Sequence, residues 1–326
     1  MRTIPVLYLI LPCYNEEEVL GSTIAKVNDK MNRLIKENKI KADSKAMFVN
    51  DGSRDNTLSV LLEASYENKM ISVVNLSGNY GHQSAILAGM MTARKHADAI
   101  ITIDADLQQD IEAIDRFLEA YMDGCDVVYG VRNDRSSDGL FKKATATMYY
   151  RLMRMLGSEV IPNHADYRLM SKKALDALSE YPETNLFLRG LIPTMGFKSD
   201  IVMFDVKKRE AGSSKYTLSK MMRLALDGIT SFSVKPLHMI MVLGIIIILF
   251  GIIMAIISVV DYIAGRNVAG YTTLILVTLI TSGTILLSLG VIGEYIGKIY
   301  MEAKQRPRYL IDSVVLEADK TDDENN

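Results

Sequence analysis

The chain has 326 residues, a formal net charge of −2, and hydrophobic residues at 49% of its positions. A net charge this close to zero implies no strong polyelectrolyte attraction to nucleic acid. The length suits about two domains of ~150 residues each. The two cysteines, Cys13 and Cys125, are too few for a disulfide framework and fit a reducing compartment.

Apolar segments alternate with segments of helical character along the first part of the chain. Runs rich in apolar residues predict five strands, at 6–12, 45–51, 71–76, 98–104 and 126–132. The segments between them, such as 56–68 and 84–96, read as helices. This alternation predicts an α/β fold with a mostly parallel sheet covered by helices on both faces.

Polar residues or glycines follow each predicted strand. The strand ends are Pro12–Glu16, Asn50–Ser53, Leu76–Asn79, Asp104–Asp106 and Gly130–Arg132. In open α/β sheets, ligands bind in the crevice outside the carboxyl ends of the strands. The pattern therefore predicts a crevice for a nucleotide-type ligand.

Two aspartates one residue apart, Asp104 and Asp106, end the fourth predicted strand. If this segment is extended, both side chains point to the same side and their carboxylates repel each other. A calcium loop would need Gly and Glu where Gln109 and Asp115 stand, so it is excluded. A proton-sharing pair, a solvated strand end and a Mg²⁺ or Mn²⁺ clamp for a diphosphate remain, with Gln108 as a possible extra ligand. The place at a strand end favours the clamp.

The segment "VNDGSRDNT" (49–57) contains a second group of polar residues. Asp51 ends its strand facing the crevice, where a carboxylate could accept a hydrogen bond from a pyrimidine N–H or a ribose hydroxyl. Asp55 and Asn56 are typical caps for the next helix. Asp110 is predicted to be a helix-start acid.

Two further segments could meet an anion. "GNYGHQSAILAGM" (78–90) opens a helix, and helix N-termini attract anions, although His82 in it is read as a structural histidine. The loop "KREAGSSKYTLSK" (208–220) presents Arg209 and Lys215, which suit either a ligand phosphate or anionic lipid headgroups.

The last third of the chain is predicted to meet a membrane. Residues 217–235 read as an amphipathic helix, which would lie in the bilayer interface or pack on the preceding domain. No charged residue occurs over 239–260 or 271–293, and each run is long enough to cross a ~30 Å hydrocarbon core. We therefore predict a transmembrane hairpin at 236–294, with spans at about 237–260 and 271–293.

Basic residues flank the outer ends of this hairpin. They are Lys215, Lys220, Arg223 and Lys235 on one side, and Lys298, Lys304, Arg306 and Arg308 on the other. The positive-inside rule then puts both ends in the cytoplasm. Residues 295–326 are predicted to form a cytoplasmic C-terminal segment with a disordered acidic tail at 317–326.

Seven motifs carry a resemblance to a known family. In chain order they are "PCYNEEE", "NDGSRDNT", "NYGHQSAILAG", "DADLQQD", "GVR", "DYRLMS" and "REAGSSKY". From residue 5 to about 310 the chain resembles the family 2 glycosyltransferases with the GT-A fold. Within them it resembles the polyprenyl-phosphate glycosyltransferases of the bactoprenol glucosyltransferase type, which are related to dolichyl-phosphate mannose synthase.

The resemblance implies an activity and a location. The protein would transfer a hexose with inversion from a UDP-sugar, first of all UDP-glucose, to undecaprenyl phosphate. It would do so as a multi-pass protein of the bacterial inner membrane with a cytoplasmic GT-A domain (1–216), and as a homo-oligomer, with a tetramer suggested. UDP-N-acetylglucosamine or UDP-galactose as donor, and a non-catalytic scaffold, stay as alternatives. A processive polysaccharide synthase is disfavoured, because such enzymes carry a QxxRW motif and this chain has no Trp.

The resemblance also implies roles for single residues on the donor side. The nucleoside would be contacted by Pro12, Tyr14, Glu16 and Asp51. Asp104 and Ala105 would lie against the ribose and diphosphate. Asp106 and Gln108 would ligate the Mg²⁺ or Mn²⁺ ion.

The remaining implied roles concern phosphate groups and catalysis. The diphosphate or the acceptor phosphate would be held by Arg132, Arg209 and Lys215. Asp166 stands where related transferases have their base, with Arg168 beside it for the acceptor phosphate. Because the acceptor is already an anion, Asp166 could equally orient it or act electrostatically. His82 departs from the Lys of mannose synthases, which leaves its role open.

Overall fold

The computed structural model describes residues 2–133, 164–183, 187–205, 235–264 and 270–316. These residues divide into two compact units. The sheet unit contains the described residues up to 205 together with 306–316, and the helical unit contains those from 235 to 305. Arg209, Lys215, the predicted amphipathic helix up to residue 234 and the acidic tail lie outside the described residues.

Eight strands and six helices form the sheet unit in the part of the chain that is described. The strands are β1 (Leu7–Cys13), β2 (Lys45–Asn50), β3 (Ile71–Leu76), β4 (Ala99–Thr102), β5 (Val127–Arg132), β6 (His164–Ser171), β7 (Ser199–Phe204) and β8 (Ile311–Val315). The helices are α1 (Glu17–Lys36), α2 (Thr57–Glu67), α3 (His82–Ala93), α4 (Ile114–Met122), α5 (Lys172–Ser179) and α6 (Leu188–Thr194). A short 3₁₀ helix, Ile111–Ala113, precedes α4.

One sheet contains all eight strands, in the order β7-β5-β6-β4-β1-β2-β3-β8. The pairs β1/β2, β1/β4, β2/β3 and β5/β7 are parallel, whereas β6 runs antiparallel to both β4 and β5. The predicted mostly parallel α/β sheet is therefore confirmed, and the five predicted strands are its β1 to β5. The fourth is shorter than predicted, because β4 ends at Thr102.

The sequence pattern explains how the layers pack. Every residue of β1 is buried, as expected for a strand covered on both faces. Helix α3 lies close to the sheet at Gly89, where an added Cβ would come within 2.5 Å of the Ile10 side chain and 2.8 Å of Val49. This close packing fixes the position of α3, whose first residue is His82.

Strand β8 returns to the sheet after the long C-terminal helices. It pairs antiparallel with β3. Two hydrogen bonds hold the residues on either side of β8: Ser77 N donates to Leu310 O at 3.0 Å, and Lys45 Nζ donates to Leu316 O at 2.8 Å. The sequence interpretation of 295–326 contained no strand. Pairing with β8 covers the edge of β3, and the short β8 becomes the edge strand of the sheet.

Two long apolar helices form the helical unit. They are α7 (Lys235–Ile263) and α8 (Tyr271–Ala303). Segments Lys235–Met254 and Ile280–Ala303 are long and apolar enough to cross a membrane, and their apolar residues are not buried inside the protein. Large apolar side chains such as Ile248 and Leu286 are more than 60% exposed. The two predicted apolar helices are thus present, and the second candidate span lies nearer the C-terminus than predicted. Their arrangement as a transmembrane hairpin stays a prediction.

Candidate active site

The carboxyl ends of β1, β2 and β4 meet the amino-terminal half of β6 at one edge of the sheet. Because β6 is antiparallel to β4, Thr102 pairs with Arg168, and Asp166 comes level with the residues that follow β4. The Thr102 hydroxyl donates to the Asp166 carbonyl. This register brings Asp166 next to Asp104 although 62 positions (166 − 104) separate them in the sequence.

Hydrogen bonds join the loops after β1 and β2. The Asn15 side chain accepts from Arg54 N at 2.8 Å, and Asn15 N donates to the Ser53 hydroxyl at 3.0 Å. Glu16 N donates to the Thr57 hydroxyl at 2.9 Å. Asn15 has a φ of 54°, a left-handed conformation that asparagine tolerates better than most residues. The two loops therefore form one rigid wall of the crevice.

Gly52 allows the loops after β2 and β3 to touch. Its φ is 62°, and an added Cβ would lie 2.4 Å from the carbonyl carbon of Gly78. Only glycine fits such a left-handed position at this distance. Beside it, Asp51 accepts from Tyr80 N at 2.7 Å and Gly81 N at 2.9 Å. Asp51 thus fixes the loop that leads into α3, and its burial raises the pKa of its carboxyl.

The Asp104–Ala105–Asp106 segment is a turn. Leu107 N donates to Asp104 O at 3.1 Å with Leu107 at a φ of 46°, and the Asp106 carboxylate accepts from Gln108 N at 3.1 Å. The prediction that the two aspartates point to one side of an extended strand is therefore wrong, since β4 has already ended. The two charges still interact: burial raises the pKa of Asp104, and the nearby charges of Asp166 and Asp106 add to that raise.

Two buried side chains hold this turn in place. Gln109 accepts from Asp104 N at 3.0 Å and donates to Asp104 Oδ2 at 2.7 Å. The Thr23 hydroxyl, from α1, donates to Ala105 O at 2.6 Å. Asp110 caps the 3₁₀ helix by accepting from Glu112 N, which confirms its prediction as a helix-start acid.

Asp166 is buried between two arginines. Arg168, on the same strand, donates to Asp166 Oδ1. Arg189, from α6, donates through Nε to Oδ1 at 3.1 Å and through Nη2 to Oδ2 at 2.6 Å. Burial alone would raise the pKa of Asp166, but the charges of Arg189 and Arg168 outweigh it and hold that pKa well below its usual range.

His82 lies between the two acidic groups. Its Nε2 is 3.5 Å from Asp104 Oδ1 and 3.7 Å from Asp166 Oδ2, and 48% of its side chain is exposed. Gly81, just before it, has a φ of 88°, which directs the chain into α3. The site thus contains an acidic turn, a carboxylate paired with arginines, and an imidazole between them.

Comparison with known proteins identifies the family. The family model described as Glycosyl transferase family 2 matches residues 8–179. The chain is 46% identical over 308 residues to Uncharacterized glycosyltransferase YkoT of Bacillus subtilis, covering 94% of this chain and 91% of that protein. It is 36% identical over 307 residues to Bactoprenol glucosyl transferase of Shigella phage SfX, covering 94% and 98%. The chain is a family 2 glycosyltransferase.

Its sheet has the GT-A arrangement that the resemblance implied. Among solved structures, glucosyl-3-phosphoglycerate synthase from Mycobacterium tuberculosis, in complex with phosphoglyceric acid, is 15% identical with a TM-score of 0.49. That comparison covers 70% of this chain and 80% of that one.

The residues predicted to contact the nucleoside lie in or next to the wall formed by the loops after β1 and β2. Pro12 is buried in β1, Tyr14 is 41% exposed, and Glu16 is partly buried at the start of α1. Asp51 lies behind them with both oxygens bonded to backbone N–H groups. Their contacts with a nucleoside stay predictions.

Of the residues predicted to bind phosphate, the structure describes Arg132 and Arg168. Arg132 is exposed at the end of β5, in register with Phe204 of β7. Arg168 is fully buried, donating to Asp166 and to Leu188 O, so contact with an acceptor phosphate would require it to be uncovered. Arg209 and Lys215 are beyond the residues that the structure describes.

Sequence reasoning missed two contacts of the glycosyltransferase site. Gln109 entered only as the residue that excludes a calcium loop, and Arg189 was not singled out. Gln109 stands three positions after Asp106, so its closeness to the acidic motif was a usable signal. No local pattern marks Arg189, because its partner Asp166 is 23 positions earlier in the chain and on another element.

Proposed function

We propose that this glycosyltransferase moves glucose from UDP-glucose to undecaprenyl phosphate at the cytoplasmic face of a bacterial membrane, with inversion at the anomeric carbon. The similarity to the bactoprenol glucosyl transferase of Shigella phage SfX carries the proposal, because it extends over 98% of that protein and 94% of this chain. It therefore includes the apolar C-terminal helices as well as the crevice. The product would be a lipid-phosphate-linked glucose for modifying cell-envelope glycans.

The acidic turn is the proposed metal and diphosphate site. A divalent ion such as Mg²⁺ or Mn²⁺ is bound by few carboxylates and keeps positions for water and substrate phosphates. The oxygen donors of Asp106 and Gln108 fit this chemistry. Burial, together with the negative charges of Asp166 and Asp106, raises the pKa of Asp104, and a cation would offset those charges. Asp104 and Ala105 then face the ribose and diphosphate. A metal at this point would neutralise the charge that develops on the departing diphosphate.

The nucleoside is proposed to lie along the wall built from the loops after β1 and β2. There it would be contacted by Pro12, Tyr14, Glu16 and Asp51. The exposed Tyr14 ring offers a stacking surface beside the crevice. Arg132 is proposed to hold a phosphate at the end of β5, together with Arg209 and Lys215.

Asp166 is proposed to act through its position and charge. The acceptor is a phosphate monoester whose second pKa is near ~6, so it is largely dianionic at neutral pH and needs no base to remove a proton. A carboxylate with a depressed pKa is also a weak proton acceptor. Asp166 therefore orients the reacting groups, and attack by the acceptor oxygen opposite the leaving diphosphate inverts the anomeric centre.

The membrane part of the proposal is a hairpin with both outer ends on one side. Residues up to 205 and residues 306–316 belong to the same sheet unit, which supports a hairpin that the chain enters and leaves on one side of the membrane. Basic residues at both outer ends favour the cytoplasm. The proposed division is a catalytic domain (1–216), an interfacial helix (217–235), a hairpin (236–294) and a C-terminal segment (295–326) that supplies β8. Assembly as a homo-oligomer stays a prediction.

A direct assay tests the proposal. The purified protein is incubated in vesicles with undecaprenyl phosphate, Mn²⁺ and one radiolabelled donor at a time. UDP-glucose should transfer its label into the organic phase faster than UDP-N-acetylglucosamine, UDP-galactose or GDP-mannose. Faster transfer from another nucleotide sugar would identify that sugar nucleotide, and not UDP-glucose, as the donor. Absence of lipid-linked label from all four donors would favour a non-catalytic membrane scaffold.

A further inference from the structure

Arg189 forms a two-point contact with the carboxylate of Asp166. Its Nε and Nη2 donate to different oxygens of Asp166, at 3.1 and 2.6 Å. Such a bidentate pair between a guanidinium and a carboxylate fixes geometry as well as charge. The Arg189 side chain is 37% exposed, whereas that of Asp166 is 5% exposed. Arg189 therefore covers Asp166 on the solvent side.

The backbone beside Arg189 is itself fixed. Leu188 N donates to Gln83 Oε1 at 3.0 Å, and Leu188 O accepts from Arg168 Nη1 at 3.3 Å. These bonds join the start of α6 to α3 and to β6. Arg189 thus reaches Asp166 from an anchored position, unlike a surface arginine in a chance ion pair.

The two arginines contact the Asp166 carboxylate differently. Arg168 donates to Oδ1 of Asp166. Arg189 donates to both carboxylate oxygens, Oδ1 and Oδ2. Oδ2 is also the oxygen that lies 3.7 Å from Nε2 of His82. Removing Arg189 would leave Asp166 held by one oxygen, free to turn about that contact.

Asp166 is surrounded by titratable groups from four elements. Arg168 and the buried His164 share its strand, Arg189 comes from α6, His82 from α3, and Asp104 from the turn after β4. Asp104 repels Asp166 across the crevice. Arg189 supplies both the charge and the directed bonds that keep the Asp166 carboxylate in place against that repulsion.

We propose that Arg189 is a positioning residue for sugar transfer, which holds the Asp166 carboxylate with Oδ2 directed at the crevice beside His82. The inference rests on the proposed function and deepens it. Arg189 works through Asp166 and is not the residue that binds the acceptor phosphate.

Kinetics of matched variants test this. Arg189→Gln is compared with Arg94→Gln, because Arg94 also pairs with an aspartate, Asp176, and is similarly exposed at 32%. Arg189→Gln should lower kcat about 10²-fold, the effect expected for a displaced catalytic group, while KM for donor and acceptor changes little. Arg94→Gln should keep wild-type kinetics. Arg189→Lys, which keeps the charge but not the fork, should show an intermediate kcat.

A double variant supplies the second readout. Residues that act as one unit are not additive, so Arg189→Gln combined with Asp166→Asn should be no slower than Asp166→Asn alone. Multiplied losses would overturn the inference. So would a raised acceptor KM with unchanged kcat, since Arg189 would then be binding the phosphate itself. If Arg189→Gln does not fold, Arg189→Lys and its double variant with Asp166→Asn carry the same test.

The wild-type protein in the same vesicles separates the two proposals. An inactive wild type contradicts the proposed function. An active wild type with a fully active Arg189→Gln variant contradicts only the role of Arg189.

Discussion

Asp104 and Asp166 lie on either side of His82, at 3.5 and 3.7 Å from the same nitrogen, yet the protein treats their charges in opposite ways. Asp166 receives two guanidinium groups, and its pKa is lowered. Asp104 accepts a hydrogen bond from the neutral amide of Gln109. Burial, together with the charges of Asp166 and Asp106, raises the pKa of Asp104. One carboxylate is paired with two guanidinium groups, while the other is partly buried beside two further carboxylates.

The difference shows where an external cation is needed. A metal bound at Asp166 would have to displace two arginines, so this carboxylate is unsuited to be a ligand. The acidic turn has oxygen donors and excess negative charge, which a divalent ion would relieve. We therefore propose that the turn binds the metal and that Asp166 orients the reacting groups, and the following variants test this proposal.

The largest expected effect comes from Asp106→Asn. Removing a metal ligand should lower transfer by at least about 10³-fold, because the metal stabilises the leaving diphosphate by several kcal/mol. Membrane insertion and folding should stay intact. Asp110→Asn, four positions along in a capping role that Asn also fills, is the matched control and should stay active. Full activity of Asp106→Asn would remove the metal role from the turn.

The second effect concerns stability at Asp166. Asp166→Asn leaves Arg168 and Arg189 without their shared counter-charge, and breaking a buried ion pair in this way costs about 3–5 kcal/mol of unfolding free energy. Chemical denaturation should show the loss, with the exposed Asp176→Asn as a control that changes stability by about 1 kcal/mol or less. Equal losses from both variants would contradict the buried pairing.

The pH dependence of that loss follows from the depressed pKa of Asp166. A group whose folded pKa is below its unfolded value of about 3.9 contributes stability above that value. The contribution disappears as the pH falls through the folded pKa. The difference in unfolding free energy between wild type and Asp166→Asn should thus be constant from pH 6 to 8 and shrink only in strong acid.

A smaller effect is expected from Gln109→Ala. The substitution removes both hydrogen bonds that orient Asp104, and losing a residue that orients a metal site typically weakens metal affinity by about 10- to 100-fold. The Mn²⁺ concentration for half-maximal activity should rise, while activity at saturating Mn²⁺ largely recovers. An unchanged Mn²⁺ dependence would show that Gln109 serves only the fold.

The smallest effect, and the one of opposite sign, is expected for the stability of Asp104→Asn. Because the folded pKa of Asp104 is raised, its ionised form destabilises the fold as the pH rises through that pKa. The neutral amide should therefore make the metal-free protein more stable at pH 7 than the wild type. Denaturation at pH 7 measures this gain, and a loss of stability would contradict the repulsion at the turn.

The sequence predicted the parts of the site that depend on local patterns. Apolar runs identified β1 to β5, and the polar residues after β2 and β4 identified the crevice, since strand ends carry their signals within a few residues. The geometry of the acidic turn could not be predicted, because β4 ends two residues earlier than its apolar pattern suggests. The turn then depends on Leu107 adopting a positive φ.

Contacts between distant segments were beyond the sequence argument. The placement of Arg189 on Asp166 needs β6 to run antiparallel to β4 and α6 to be anchored by Gln83. The addition of β8 to β3 joins residues more than 230 positions apart, such as Asn75 and Asp312. Each contact depends on pairing between distant segments, which leaves no local pattern in the sequence.

Thermal unfolding with and without Mn²⁺ and UDP tests the central contrast most directly. The contrast predicts that Mn²⁺ with UDP raises the Tm of the wild type and of Asp166→Asn, and leaves that of Asp106→Asn unchanged. Without Mn²⁺, Asp166→Asn should melt below the wild type. A wild-type response to Mn²⁺ in Asp106→Asn, or its loss in Asp166→Asn alone, would contradict the assignment of the metal to the acidic turn.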